Sequence, residues 1–153
     1  MSFRIYSPDF QEGSSIPSKF TCDGSDISPT LQWEDPPINT KSFTLIIHDP
    51  DAPAGDWTHW VLYNIPSDKQ YLVESFPSEI NLPDGMRQGR NSWHQTKYGG
   101  PCPPSGTHRY FFTLYALDTF LELEGGADRQ EVLAAIQSHI LAQAQMISTY
   151  CRK

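Results

Sequence analysis

Two separated stretches hold the residues able to do chemistry. The first runs Asp49-Pro50-Asp51-Ala52-Pro53-Ala54-Gly55-Asp56-Trp57-Thr58-His59-Trp60, and the second runs from Gly99 to Tyr110 through Gly100, Pro101, Cys102, Pro103, Pro104, Ser105, Gly106 and His108. If the two meet in space, His59 and His108 converge with Tyr110 beside them and Asp49 at the end of the preceding strand. Two imidazoles, a phenol hydroxyl and backbone N–H groups from a glycine-rich turn can surround a phosphate or carboxylate. Glycine lets the backbone approach closely, and successive turn amides form anion-binding concavities. Asp49 would fix an imidazole tautomer or hold a cationic group of the ligand. The prolines freeze torsions, so little ordering entropy is lost on binding.

The same residues allow other arrangements. Two histidines and a carboxylate could hold a metal as in non-haem iron enzymes, but they lie on separate strands with no H-x-D spacing. Ser105 or Cys102 with His108 and Asp49 could make a hydrolase, although neither nucleophile sits in a G-x-S-x-G elbow. Strand-face histidines are more often structural than functional, and Trp57, Trp60, Tyr110 and Phe112 are ordinary core aromatics by type. Arg109 is expected to pair with an acid such as Asp51. No convergent partner is visible for His48, His94 or His139.

These stretches need strands to deliver them. Phe43 to His48 is apolar on both faces, which suggests a central strand buried between layers. From Trp57 to Ile65 a period of two puts Trp57, His59, Val61, Tyr63 and Ile65 on one face. From His108 to Asp118 the same period groups His108, Tyr110, Phe112, Leu114 and Ala116. Leu31 and Trp33 mark a half-buried strand, residues 1–12 a short one, and Ile16 to Cys22 another. Residues 66–107 lack a long periodic element but hold Tyr71, Phe76, Trp93 and Tyr98, too many aromatics for disorder. Asp128 with Glu131 forms a capping box, and Val132, Ile136, Ile140, Ala144 and Ile147 predict one helix from about Asp128 to Ser148. The fold class is mainly β: an antiparallel β-sandwich with a C-terminal α-helix, as one domain over residues 1–153.

Composition narrows the function. Thirteen prolines and ten glycines in 153 residues fit a loop-rich β protein. A net charge of -7 leaves no cationic excess for nucleic acid or anionic lipid surfaces. No apolar run is long enough for a membrane span, and no secretory leader is visible, so the expected location is cytoplasmic. Cys22, Cys102 and Cys151 are an odd number without C-x-x-C spacing and are read as reduced thiols. No metal or cofactor is expected.

Asp49-Pro50-Asp51-Ala52-Pro53 followed by Trp57-x-His59-Trp60, then Gly99-Gly100-Pro101-Cys102-Pro103-Pro104-x-Gly106-x-His108-Arg109-Tyr110, resembles the phosphatidylethanolamine-binding protein family, and within it the bacterial Raf kinase inhibitor-like branch. Thr21-Cys22-Asp23-Gly24 with Ser28-Pro29, and Leu114-Tyr115-Ala116-Leu117-Asp118, resemble that branch as well. The resemblance implies a sandwich of two antiparallel sheets and a pocket for phosphate-like anions, including phospholipid head groups. By motif position it implies that Asp49, Pro53, Trp57, His59, Pro104, His108 and Tyr110 line the pocket, with Gly100 in the adjoining loop. It also implies a cis peptide before a motif proline, at Ala52–Pro53. Thr58 stands where eukaryotic members carry a second histidine. The leading expectation is a small non-enzymatic binding protein for a phosphorylated or otherwise anionic small molecule, extending to modulation of a partner protein. A protein–protein inhibitor of a kinase or protease is the second reading, and a weak hydrolase on a phosphate or acyl ester using His59 and His108 is the third. A homodimer is compatible with all three.

Overall fold

The structure is a computed structural model and describes residues 2–152. Its strands are β1 (Arg4–Tyr6), β2 (Leu31–Glu34), β3 (Ser42–Asp49), β4 (Trp57–Pro66), β5 (Tyr71–Leu72), β6 (Arg87–Gln88), β7 (Thr107–Leu117) and β8 (Ile140–Cys151), with one helix, α1 (Arg129–Ile136), before β8. They form two antiparallel sheets, a small one ordered β1-β2-β5 and a large one ordered β6-β4-β3-β7-β8.

The large sheet is central because both of its faces are covered. On one side Phe43, Leu45, Ile47, Trp60, Leu62, Phe112 and Leu114 pack toward Ile5, Leu31 and Trp33 of the small sheet. On the other, Ile46, Val61, Tyr63 and Leu117 pack under Val132 and Ile136 of α1. A strand buried on two faces reads as a continuous apolar run, which is what Phe43–Ile47 shows. The mainly β, two-sheet antiparallel class is therefore the observed one.

The C-terminal segment departs from expectation. The capping box is present: Asp128 accepts from the Glu131 amide at 2.9 Å, and the Glu131 carboxylate accepts from the Asp128 amide at 3.1 Å. But α1 ends at Ile136, and Ile140–Cys151 is a strand paired with β7 along its length, from Thr107↔Cys151 to Leu117↔Ile140. Residues four apart share a strand face as well as a helix face, so Ile140 and Ala144 fit both periods. The open edge of β7 decides between them, because its backbone groups need partners.

Two other expectations fall. Ile16 to Cys22 is not a strand: Ser18–Phe20 forms a single 3-10 turn after Pro17, and Ser15 makes only an isolated bridge to Thr149. In β4 the alternation is broken twice. Ile47 pairs with Trp60 while His48 pairs with Thr58, leaving His59 as an extra residue, and a second irregularity falls between Phe43↔Ile65 and Leu45↔Leu62. Trp60, Leu62 and Ile65 thus face the sandwich core, and Val61 and Tyr63 face α1. At the second irregularity Asn64 has φ 57° and ties its side-chain amide to both the carbonyl and the N–H of Leu121. A β-bulge re-aims the side chain that it carries. His59 is turned to the sandwich side, where Tyr110 of β7 lies.

Candidate functional site

A cavity of about 750 Å³ opens where the N-terminal ends of β4 and β7 meet the loops beside them. Asp49, Pro53, Trp57, His59, Gly100, Pro104, His108 and Tyr110 all line it. The two distant stretches do meet in space.

The floor is polar and tightly organised. His108 Nδ1 lies 2.6 Å from Asp49 Oδ2, and both residues are buried. The other Asp49 oxygen accepts from the Asp51 amide at 2.7 Å. His59 Nδ1 lies 2.7 Å from the Gly99 carbonyl oxygen. Carbonyls and ionised carboxylates only accept, so both rings carry a proton on Nδ1, and among the described residues no hydrogen bond reaches either Nε2. The His59 and Tyr110 rings meet edge to face at 5.2 Å. Tyr110 is 1% exposed, and among the described residues none meets its hydroxyl in hydrogen-bond geometry, although Asp49 and the Cys102 backbone lie near it. Burial lowers the His59 pKa more than the Gly99 carbonyl and the Asp49 charge raise it. Burial, and then the negative charge of Asp49, push the Tyr110 hydroxyl well above the ordinary phenol range. At neutral pH the floor therefore presents a neutral His59 with a free Nε2 lone pair and a protonated Tyr110.

The walls come from four loops. Arg109 holds the loop after β3: its amide and Nε both reach Asp51 Oδ2 at 2.9 Å, and Nη2 reaches Oδ1 at 2.9 Å. These bonds hold the Asp51 carboxyl down at about 2. At the far end of the same loop, Asp56 accepts from His48 at 2.8 Å and pairs with Arg129 of α1 at 2.8 Å. Burial alone would raise the Asp56 carboxyl, and the bonds from Arg129 and His48 outweigh it. The loop is thus pinned twice. Its peptide bonds are all trans, which corrects the cis bond expected at Ala52–Pro53; the turn is closed instead by the Gly55 N–H on the Ala52 carbonyl at 3.0 Å. His48 and His139, read as lacking partners, are bonded to Asp56 and Asp118.

The glycine-rich turn has a different role from the one expected. The Gly99 amide donates to the His59 carbonyl at 3.0 Å and the Gly100 amide to Asp26 Oδ1 at 2.8 Å, so neither is free for an anion. A Cβ on Gly100 would overlap the Phe20 carbonyl oxygen, and one on Gly99 would overlap the Trp93 ring. These glycines permit close packing of the walls rather than cradling a ligand.

Trp93, Asp26 and Ile27 also line the cavity, and sequence reasoning did not place them there. Trp93 packs edge to face against Trp57 at 5.6 Å and against His59 at 5.0 Å, yet stays 40% exposed. The one signal for it was the density of aromatics in the segment without periodicity.

The reading of reduced cysteines is overturned in part. Cys22 and Cys102, 80 residues apart, form a disulfide whose two halves both line the cavity, while Cys151 is free and exposed. Odd number and spacing could not reveal a pair that only loop packing brings together. Cys102 is thereby removed as a nucleophile, and Ser105 is exposed and outside the cavity lining. Among the described residues no three His, Cys, Asp or Glu side chains are placed to share a metal ion. No helix among them is long and apolar enough to cross a membrane.

An antiparallel two-sheet sandwich carrying a histidine-floored, aromatic-walled cavity at one end defines a class of binding protein. The chain belongs to the phosphatidylethanolamine-binding protein family, whose model matches residues 6–151. It is 52% identical over 143 residues to a UPF0098 protein of Methanothermobacter thermautotrophicus, covering 94% of this chain and 95% of that one. Among solved structures it is similar to a putative phosphatidylethanolamine-binding protein homologue, CT736 of Chlamydia trachomatis, with 36% identity and a TM-score of 0.92. It is also similar to E. coli YbcL, with 31% identity and a TM-score of 0.90, and both matches cover 99% of each chain.

Proposed function

We propose that this protein is a binding module, not an enzyme, whose cavity holds a phosphate-like anion or the phosphorylated head of a larger molecule. One observation carries the reading. Among the described residues no hydrogen bond meets the buried Tyr110 hydroxyl or the Nε2 atoms of His59 and His108, and all three belong to residues of one cavity floor. Buried polar groups left unsatisfied are costly and point to a missing partner. The Tyr110 hydroxyl donates to the anion. The Asp49 carboxylate holds the His108 ring through Nδ1 and leaves its Nε2 to the ligand. Neutral His59 accepts from a protonated oxygen, so a monohydrogen phosphate or monoester matches the floor better than a fully ionised group.

The cavity volume lies in the range that holds an organic ligand rather than a bare ion. Trp57 and Trp93 supply an apolar wall for whatever the anionic head carries. Modulation of a protein partner through the same cavity is compatible with this reading.

Titration calorimetry with inorganic phosphate and phosphoethanolamine, on the wild type and on His59→Ala and His108→Ala, tests it. Binding that falls at least about tenfold in both variants is the expected result. Affinity unchanged by both substitutions refutes the pocket. Turnover of p-nitrophenyl phosphate that disappears in both variants would replace the binding module with an enzyme.

A further inference from the structure

We propose that the Cys22–Cys102 disulfide is a thiol-exchange site within the cavity wall, through which a small thiol or dithiol controls how tightly the pocket holds its ligand. The coupling to ligand rests on the anion-pocket reading above; the exchange chemistry does not.

Both halves of this disulfide are only half-buried and both line an open cavity. Access to the sulfur is a main determinant of exchange. The bond joins the loop that carries Asp26 and Ile27 to the loop that carries Gly100, Pro103 and Pro104, so it ties two walls of the pocket. Up to Pro101 those loops are also held by hydrogen bonds: Tyr98 Oη to the Phe20 carbonyl at 2.7 Å, the Gly100 amide to Asp26, and the Cys22 amide to the Pro101 carbonyl at 3.1 Å. Beyond Pro101, among the described residues, no hydrogen bond joins residues 102–106 to residues 20–28. The disulfide alone bridges that part of the wall, which leads directly into His108.

An external thiolate attacks one of the two sulfurs, the S–S bond breaks, and its electron pair leaves on the other cysteine, which takes up the proton. A second thiol, or the second sulfur of a dithiol, then displaces the protein from the mixed disulfide. The net result is two protein thiols and one external disulfide. Cys151 does not supply the attacking group. Tyr150 Oη and Arg152 Nε both reach Asp23, at 2.6 and 3.1 Å, so strand alternation turns Cys151 to the opposite side.

The test uses full-length Cys151→Ser protein, in which every free thiol reports on this bond. Native protein is treated with dithiothreitol without denaturant, quenched by alkylation and weighed, with and without saturating phosphoethanolamine. Reduction under native conditions is expected, slowed at least about fivefold by the ligand that fills the route of entry. Phosphoethanolamine is expected to bind the reduced form about tenfold more weakly, with recovery on reoxidation. The Cys22→Ser/Cys102→Ser variant should match the reduced form and ignore dithiothreitol. A bond reduced only in denaturant, or at a rate indifferent to ligand, overturns the exchange site. Equal affinity in both redox states overturns the control. If phosphoethanolamine binds neither state, the anion pocket and the control fall together, while the native reduction rate still decides the exchange chemistry.

Discussion

Asp49 and His108 stand 59 positions apart in the chain, yet their side chains meet at 2.6 Å beneath the cavity. Both Asp49 oxygens are occupied, one by this imidazole and one by the Asp51 amide, so the carboxylate cannot rotate without losing a bond. Asp49→Asn keeps an acceptor for the Asp51 amide but offers an N–H to His108, forcing the ring to accept at Nδ1 and carry its proton on Nε2. The floor then loses the carboxylate that fixes this ring's tautomer. Phosphate affinity is expected to fall about tenfold. Titration calorimetry with inorganic phosphate measures this; a variant with the wild-type affinity would refute the role of Asp49.

His59 makes the empty protein sensitive to acid. Its folded pKa lies below the unfolded value near 6.5, so between the two the unfolded chain binds more protons. The associated stability is complete above 6.5 and is lost as pH falls through the folded value. His48, also lowered chiefly by burial, acts in the same direction. Asp51, held at about 2 against an ordinary 3.8, adds a second loss between those values, small because its surroundings are open to solvent. Urea melts from pH 7.5 to 4.5 should show falling stability, shallower in His59→Gln. A flat profile in the wild type would contradict the buried neutral ring.

Gly100→Ala should be among the most damaging small substitutions. The added Cβ meets the Phe20 carbonyl and Asp26 Oδ1, with Thr21 Cα at 3.0 Å, and backbone cannot yield as a side-chain tip can. A loss of about 1–3 kcal/mol is expected, together with weaker ligand binding as the wall shifts. Gly55→Ala meets no atom within 4 Å and suffers only from its positive φ of 104°, costing about 1 kcal/mol. Chemical denaturation of both variants ranks them; equal losses would refute the close approach.

Replacing both Cys22 and Cys102 by serine opens a loop of 80 residues in the unfolded chain. Loop-closure entropy puts the loss at about 4 kcal/mol. Cys151→Ser, exposed at the end of β8, should cost less than about 0.5 kcal/mol. Paired denaturation curves test the contrast.

Much of the site was legible in the residues. Period-two alternation put Trp57 with His59 and His108 with Tyr110, and opposite charge suggested Asp51 as one partner for Arg109, the pair that forms. The bulge at His59 was not legible, because an extra residue shows only against the partner strand. Nor was the use of the Gly99 and Gly100 amides, which are taken by His59 and Asp26 across the fold.

Local composition settled what depends on neighbours in the chain: the apolar run of β3, the alternation of β7 and the Asp128–Glu131 cap. Tertiary structure decided whatever depends on a distant partner. Residues 140–151 carry a spacing that suits both helix and strand, and the unpaired edge of β7 selects the strand. Cys22 finds Cys102, and Trp93 finds His59, only after the sheets have closed. Short-range torsional preference is written into each segment, while the choice among compatible states is made by hydrogen bonds and contacts that no single segment contains.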